Sequence, residues 1–193
     1  MREAGKVAGQ ILKDVEALIK PGIATIEIDR FVEKAVKNAK MTAAEKGYCG
    51  YPASVCVSIN EEVVHGIPSK KRILREGDIV SLDLVVENHG YMADAARTYG
   101  VGRISAEAQH LIDTVEEAFF KGMEFAKEGY RLSDISNAIQ STVEGEGFSV
   151  IRDFVGHGIG NSMHEDPQIP NYGKPGKGPR LQRGMTLAVE PMI

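Results

Sequence analysis

A shift of 107 residues carries one stretch of the chain onto another, and this echo limits the possible folds more than any other feature. Under the shift Gly22 falls on Gly129, Ile28 on Ile135, Val32 on Ile139 and Val36 on Val143. Further on, Leu74 meets Leu181, Gly77 meets Gly184, Leu82 meets Val189 and Asp83 meets Glu190. Apolar and glycine matches follow readily from shared helix grammar. An acid recurring at the same offset inside an apolar strand does not. The echo describes a pseudo-duplicated fold, with halves at about 1–103 and 104–193 of one domain spanning 1–193.

Local patterns fill in each half. Residues 2–19 place Val7, Ile11, Leu12, Val15 and Leu18 on one helical face, and Pro21-Gly22 ends the run. Thr25 is placed to cap a helix over 26–39, Ser105 one reaching about 127, and Ser133 one carrying Ile135, Ile139 and Val143 at four-residue spacing. Strand-like stretches rich in Val, Ile, Tyr and Phe lie at 54–59, 63–67, 79–86, 91–101, 148–155 and 185–192. Helices interspersed with hairpin-like strand pairs imply α+β and not a parallel βαβ sheet. The Gly/Pro-rich segment 170–183 reads as a surface loop.

Bulk properties narrow the function. At 193 residues and 42% hydrophobic content the chain can bury one substantial core. A formal charge of -4 opposes a nucleic-acid binder, and Lys70-Lys71-Arg72 is too short to be more than a solvated turn. No apolar run reaches membrane-spanning length, and the N-terminus opens into an amphipathic pattern with no signal-peptide core. Cys49 and Cys56 form no CxxC pair and are expected as free thiols in a reducing cytoplasm.

The chemistry concentrates on a few acids and histidines. Asp83 lies within Asp78-Ile79-Val80-Ser81-Leu82-Asp83-Leu84-Val85-Val86, where an ionised carboxylate needs a cation or a proton. A hairpin centred between Asn88 and His89 sets Asp94 directly opposite Asp83, about 5 Å away, a spacing that calls for a multivalent cation. A turn moved by one residue, or a bulge, would separate the pair. His157 stands in Gly156-His157-Gly158-Ile159-Gly160 and His164 precedes Glu165-Asp166-Pro167; each, taken singly, is as well explained as a structural or surface residue. Glu190 is a second acid in an apolar strand. Two Asp, one Glu and one His make an oxygen-rich donor set suited to Mn, Fe or Co, and paired ions in such a set do hydrolytic chemistry.

Six ordered motifs lead to a family. Gly-Tyr-Pro-x-Ser-Val-Cys at 50–56, Ile-Asn-Glu-Glu-Val-Val-His-Gly-Ile-Pro at 59–68, Asp83 with Asp94, Gly-His-Gly-Ile-Gly at 156–160, His-Glu-Asp-Pro at 164–167 and Glu-Pro-Met at 190–192 together resemble the type I methionine aminopeptidases. The resemblance spans the whole chain. It implies the pita-bread fold, two pseudo-symmetric α+β halves around a central antiparallel sheet and a site for two divalent ions (Mn, Fe, Co or Zn). Asp83, Asp94, His157 and Glu190 are then metal ligands, and Glu190 is also the general base. His65 and His164 become catalytic and substrate-binding residues, His164 at the developing oxyanion and His65 at the scissile amide. Tyr48, Tyr51, Cys56 and Met163 match positions lining the methionine pocket, although core packing accounts for them equally well. The implied partners are peptides and nascent chains beginning with methionine, met beside the ribosome in the cytoplasm. An X-Pro aminopeptidase, or an inactive relative that uses the fold to bind proteins, is the alternative.

The resemblance also implies a fifth ligand, a bridging Glu on a strand beyond Glu190. The given sequence ends at Ile193, so the expectation is a C-terminally truncated chain with its last strands missing, an open apolar edge and weak binding of an ion pair.

Overall fold

Alternation along one strand decides how the first half of the chain is built. In the computed structural model, which describes residues 1–193, Val80, Leu82, Leu84 and Val86 of the strand Ile79–Asn88 are buried in the core. Ser81, Asp83, Val85 and Glu87 occupy the other face, as the two-residue period of a strand requires.

In chain order the elements are α1 (Arg2–Val15), α2 (Thr25–Asn38), β1 (Thr42–Ala43), β2 (Cys56–Ile59), β3 (Ile79–Asn88), β4 (Tyr91–Gly100), α3 (Ala106–Met123), α4 (Leu132–Gly145), β5 (Gly156–Gly158), β6 (Glu165–Ile169) and β7 (Leu187–Ala188). All strand pairings are antiparallel, so the class is α+β as the sequence implies. The chain divides into two compact units: Met1–Ala108 with Gly160–Met163, and Gln109–Ile159 with His164–Ile193.

In the first unit β3 is central. It pairs with β4 along one edge and with β1 and β2 in tandem along the other. Helices α1 and α2 cover its apolar face, contributing Ala8, Ile11, Val15, Ile28, Val32 and Val36 to the core. Burying each of the larger side chains contributes about 1.5–3 kcal/mol relative to exposure. α1 ends earlier than its periodicity suggests, passing into a 3₁₀ turn at Glu16–Leu18. Thr25 does not cap α2; it is the first helical residue, and its hydroxyl exchanges hydrogen bonds with Ser69. Ala24 precedes the helix, and its N–H donates to the Glu27 carboxylate at 3.4 Å.

In the second unit β5 pairs with β6 on one side and β7 on the other. Its core holds Ala118 of α3, Leu132, Ile135, Ile139 and Val143 of α4, and Ile169 of β6. Ser105 does cap α3, accepting from the Ala108 N–H at 3.0 Å. Ser133 does not cap α4. That helix starts one residue earlier, the Asp134 carboxylate accepts from the Arg131 N–H at 2.7 Å, and the Ser133 hydroxyl bonds to Lys177 backbone.

The strand expectations fare unevenly. Segment 63–67 is not a strand: His65 has φ +60°, a left-handed turn conformation that breaks an extended run. Segment 148–155 is also irregular, with its only ladder-like bond from Ile151 N–H to Met192 C=O at 2.8 Å. The stretch 185–192 shrinks to Leu187–Ala188, so Glu190 lies just beyond a strand and not within one. β1, β5 and β6 were not anticipated. Segment 170–183 contains neither helix nor strand. No helix is long and apolar enough to cross a membrane.

Candidate metal centre

The β3–β4 turn fixes the first pair of candidate ligands. Asn88 pairs with Tyr91, leaving His89 and Gly90 as the two loop residues, both with positive φ (+52° and +79°). This is the twist-compatible hairpin turn, and glycine suits its second position. The loop therefore sits one residue later than a turn at Asn88-His89. Asp83 consequently faces Ala96, and Asp94 faces Val85. Direct opposition of Asp83 and Asp94 is overturned: they are diagonal neighbours on the same face, with backbones about 7–8 Å apart. Asp83 is half-buried on the face away from the core, not embedded among β-branched side chains.

On its other edge Asp83 faces Cys56 of β2. Cys56 is 4% exposed, and its thiol donates to Oε1 of Glu45 at 3.6 Å. Glu45 is 6% exposed, and donor atoms of Glu45, Cys56 and Asp83 all lie within 4.8 Å of one another. Burial, then the negative charges of Asp83 and Asp94, push the Glu45 carboxyl up to about 10. Burial and the neighbouring Glu45 charge likewise push the Cys56 thiol well above its ordinary range. Sequence reasoning missed Glu45. Glu45-Lys46-Gly47 has the composition of an exposed turn, and only the pairing of Ala44 N–H with Val85 C=O at 2.8 Å draws it under the sheet.

The second unit supplies His157 and Glu190. Glycines flank the histidine because neighbouring strands touch the backbone there: a Cβ on Gly156 would lie 2.3 Å from the Ala188 carbonyl oxygen, and one on Gly158 would lie 2.2 Å from that of Asp166. His157 is 6% exposed. Its Nδ1 is 2.8 Å from Gly158 C=O, and since a carbonyl only accepts, Nδ1 carries a proton. In the neutral ring Nε2 then presents a lone pair, and it lies 3.0 Å from Oε1 of Glu190. Two acceptors at that distance require a proton or a cation between them. Two donors about 2.1 Å from one ion, subtending roughly a right angle, sit about 3.0 Å apart, so the pair fits a shared divalent metal. Asn171, fully buried, donates from Nδ2 to the Glu190 backbone carbonyl at 2.7 Å and fixes the segment that carries the acid. No sequence signal marked Asn171, which lies within a Gly/Pro-rich loop.

The remaining candidates distribute as follows. In the first unit Tyr51 donates to Gly66 C=O at 2.8 Å and Val55 C=O at 3.2 Å, and burial raises its phenol well above the ordinary range. Tyr48 is 41% exposed, Met163 is buried and His65 is exposed. In the second unit His164 is exposed and lies against His157, ring centroids 4.3 Å apart. Both cysteines are free thiols, as expected.

The sequence pattern of metallopeptidase family M24 matches residues 1–193. The chain belongs to that family. Among its relatives, the methionine aminopeptidase of Clostridium acetobutylicum is 55% identical over 193 residues, spanning 100% of this chain and 77% of its own length. Methionine aminopeptidase 1 of Bacillus subtilis is 51% identical over the same shares. The crystal structure of methionine aminopeptidase from Thermotoga maritima matches with a TM-score of 0.97 at 47% identity, covering 99% of this chain and 77% of that one. The fold is therefore the pita-bread α+β fold, and membership of M24 makes the protein a metal-dependent peptidase.

Proposed function

We propose that this protein removes the initiator methionine from nascent chains by hydrolysing the first peptide bond, with Asp83, Asp94, His157 and Glu190 serving as one ligand set for two divalent ions. The chain itself is read as two pseudo-repeats, over about 1–103 and 104–193. The observation that carries this reading is the His157–Glu190 pair, whose 3.0 Å contact fits a shared cation, in a chain resembling methionine aminopeptidases along its whole length. Nitrogen and carboxylate donors of this kind accept Mn, Fe, Co or Zn.

Bound divalent ions supply Lewis acidity to the scissile carbonyl and make water acidic enough to attack near neutral pH. The chain's own residues do the rest. Glu190 accepts the proton of the attacking water, and Asn171 holds its backbone in place while it does so. The Nδ1–H bond of His157 to Gly158 C=O fixes the ring so that Nε2 faces Glu190 and would be the atom that ligates metal. His164, beside His157, donates a hydrogen bond to the oxyanion, and His65 holds the scissile amide. Tyr48, Tyr51, Cys56 and Met163 receive the methionine side chain, whose thioether favours sulfur and aromatic neighbours. The setting is the cytoplasm, where nascent chains emerge from the ribosome.

The test is peptide hydrolysis with Mn or Co present. Free methionine released from Met-Ala-Ser, with Ala-Pro peptides left intact, is the expected result. Cleavage of Ala-Pro without release of methionine would overturn the proposal.

A further inference from the structure

The buried carboxyl of Glu45 has no part in the ligand set above, yet it is one of the few charged side chains buried in the first unit. Its side chain is 6% exposed, and Oε2 has no hydrogen-bond partner. An uncompensated buried carboxylate is expensive, so such a group needs a proton or a cation. A proton serves while the site is empty, and the donor atoms that converge on Glu45 offer a cation its place. Cys56 stands across β2–β3 from Asp83, and Glu45 reaches both from the end of β1. The distances also match coordination. A zinc-class ion bound about 2.3 Å from sulfur and 2.1 Å from oxygen at a tetrahedral angle holds those two atoms about 3.6 Å apart. The Cys56 Sγ–Glu45 Oε1 distance is 3.6 Å.

We propose that Glu45, Cys56 and Asp83 form a separate cation site for a thiophilic divalent ion of the zinc class, sharing Asp83 with the ligand set above. One thiolate with two carboxylates selects borderline ions such as Zn(II), Co(II) and Cd(II) over Mg(II) or Mn(II). On binding, the Cys56 thiol gives its proton to bulk buffer and the thiolate takes its place at the metal. Because Asp83 is common to both sets, an ion at Glu45 and Cys56 withdraws a carboxylate from the peptidase metals, and excess zinc inhibits through this site.

The experiment is a Co(II) titration of the whole chain followed by its absorption spectrum, since thiolate ligation adds an intense near-ultraviolet charge-transfer band. The band is expected in the wild type and in Cys49→Ser. It is expected to vanish in Cys56→Ser and to require about tenfold more cobalt in Glu45→Gln. It is also expected to persist in His157→Ala, which separates this site from the proposed peptidase centre. Circular dichroism confirms that each variant is folded. A wild type without the band at saturating cobalt, a band lost in Cys49→Ser, or one unchanged in Cys56→Ser would overturn the proposal. Dependence on His157 would also overturn it, by showing that no separate site exists.

Discussion

Nε2 of His157 lies 3.0 Å from Oε1 of Glu190, and the opposite ring nitrogen is committed to the carbonyl of Gly158. The imidazole is thereby held with Nε2 directed at a carboxylate. That geometry suits a proton or a cation shared by the two side chains, and the proposed function adds the role of base for Glu190.

Replacing Glu190 with Gln keeps the shape and removes the negative charge. The expected result is a fall in kcat for methionine release by about 10²–10⁴-fold, with the fold retained by circular dichroism. Activity within a factor of three of wild type would remove Glu190 from the chemistry.

Asn171 acts at one remove, through the Glu190 backbone. Asn171→Ala leaves the partly buried Glu190 carbonyl without its donor and is expected to lower unfolding stability by about 1–3 kcal/mol in urea denaturation. Metal affinity should weaken as well, because the segment bearing Glu190 loses its anchor. A variant as stable as the wild type would show that the bond is incidental.

Gly158 is held between strands so tightly that a methyl group has nowhere to go: its Cβ would meet the Asp166 carbonyl oxygen at 2.2 Å. Gly158→Ala is expected to cost about 3 kcal/mol and to displace His157. The checks are the urea midpoint and the loss of metal affinity.

Asp29 tests the electrostatics away from the site. It is 7% exposed, and its Oδ1 accepts from the Ser54 N–H at 2.7 Å. Burial raises its carboxyl above the ordinary value of 3.8, partly offset by the Ser54 bond. A raised acid favours the folded state fully below its unfolded value, and that contribution is lost as pH rises through the higher folded value. Stability therefore declines with pH across this window. Asp29→Asn keeps the acceptor without the charge, and is expected to gain about 1 kcal/mol over wild type at pH 7 but not at pH 3. Urea denaturation at both pH values checks it, and a variant weaker at pH 7 contradicts it.

How much of this was legible in the sequence depended on what each residue needed. The helical faces were plain because Ile28, Val32 and Val36, or Ile135, Ile139 and Val143, repeat at the helix period and are buried accordingly. Caps were harder: the hydroxyls of Thr25 and Ser133 found backbone partners 44 residues away, which local pattern does not announce. The strand at Glu165–Ile169 was invisible because it is polar and contains Pro167, as edge strands often do. Asp83 and Glu190 stood out as acids among apolar neighbours. The register between Asp83 and Asp94 did not, because it turned on a single residue of the His89-Gly90 turn, and Glu45 looks like surface although it is buried.

The most direct measurement is a double-mutant cycle on manganese affinity, using Asp94→Asn, His157→Ala and both together, by calorimetry. If both residues belong to one ligand set, each single change weakens binding strongly and the pair costs at least 1 kcal/mol less than the sum of the two. Losses that simply add, or manganese binding indifferent to either residue, would contradict a common centre.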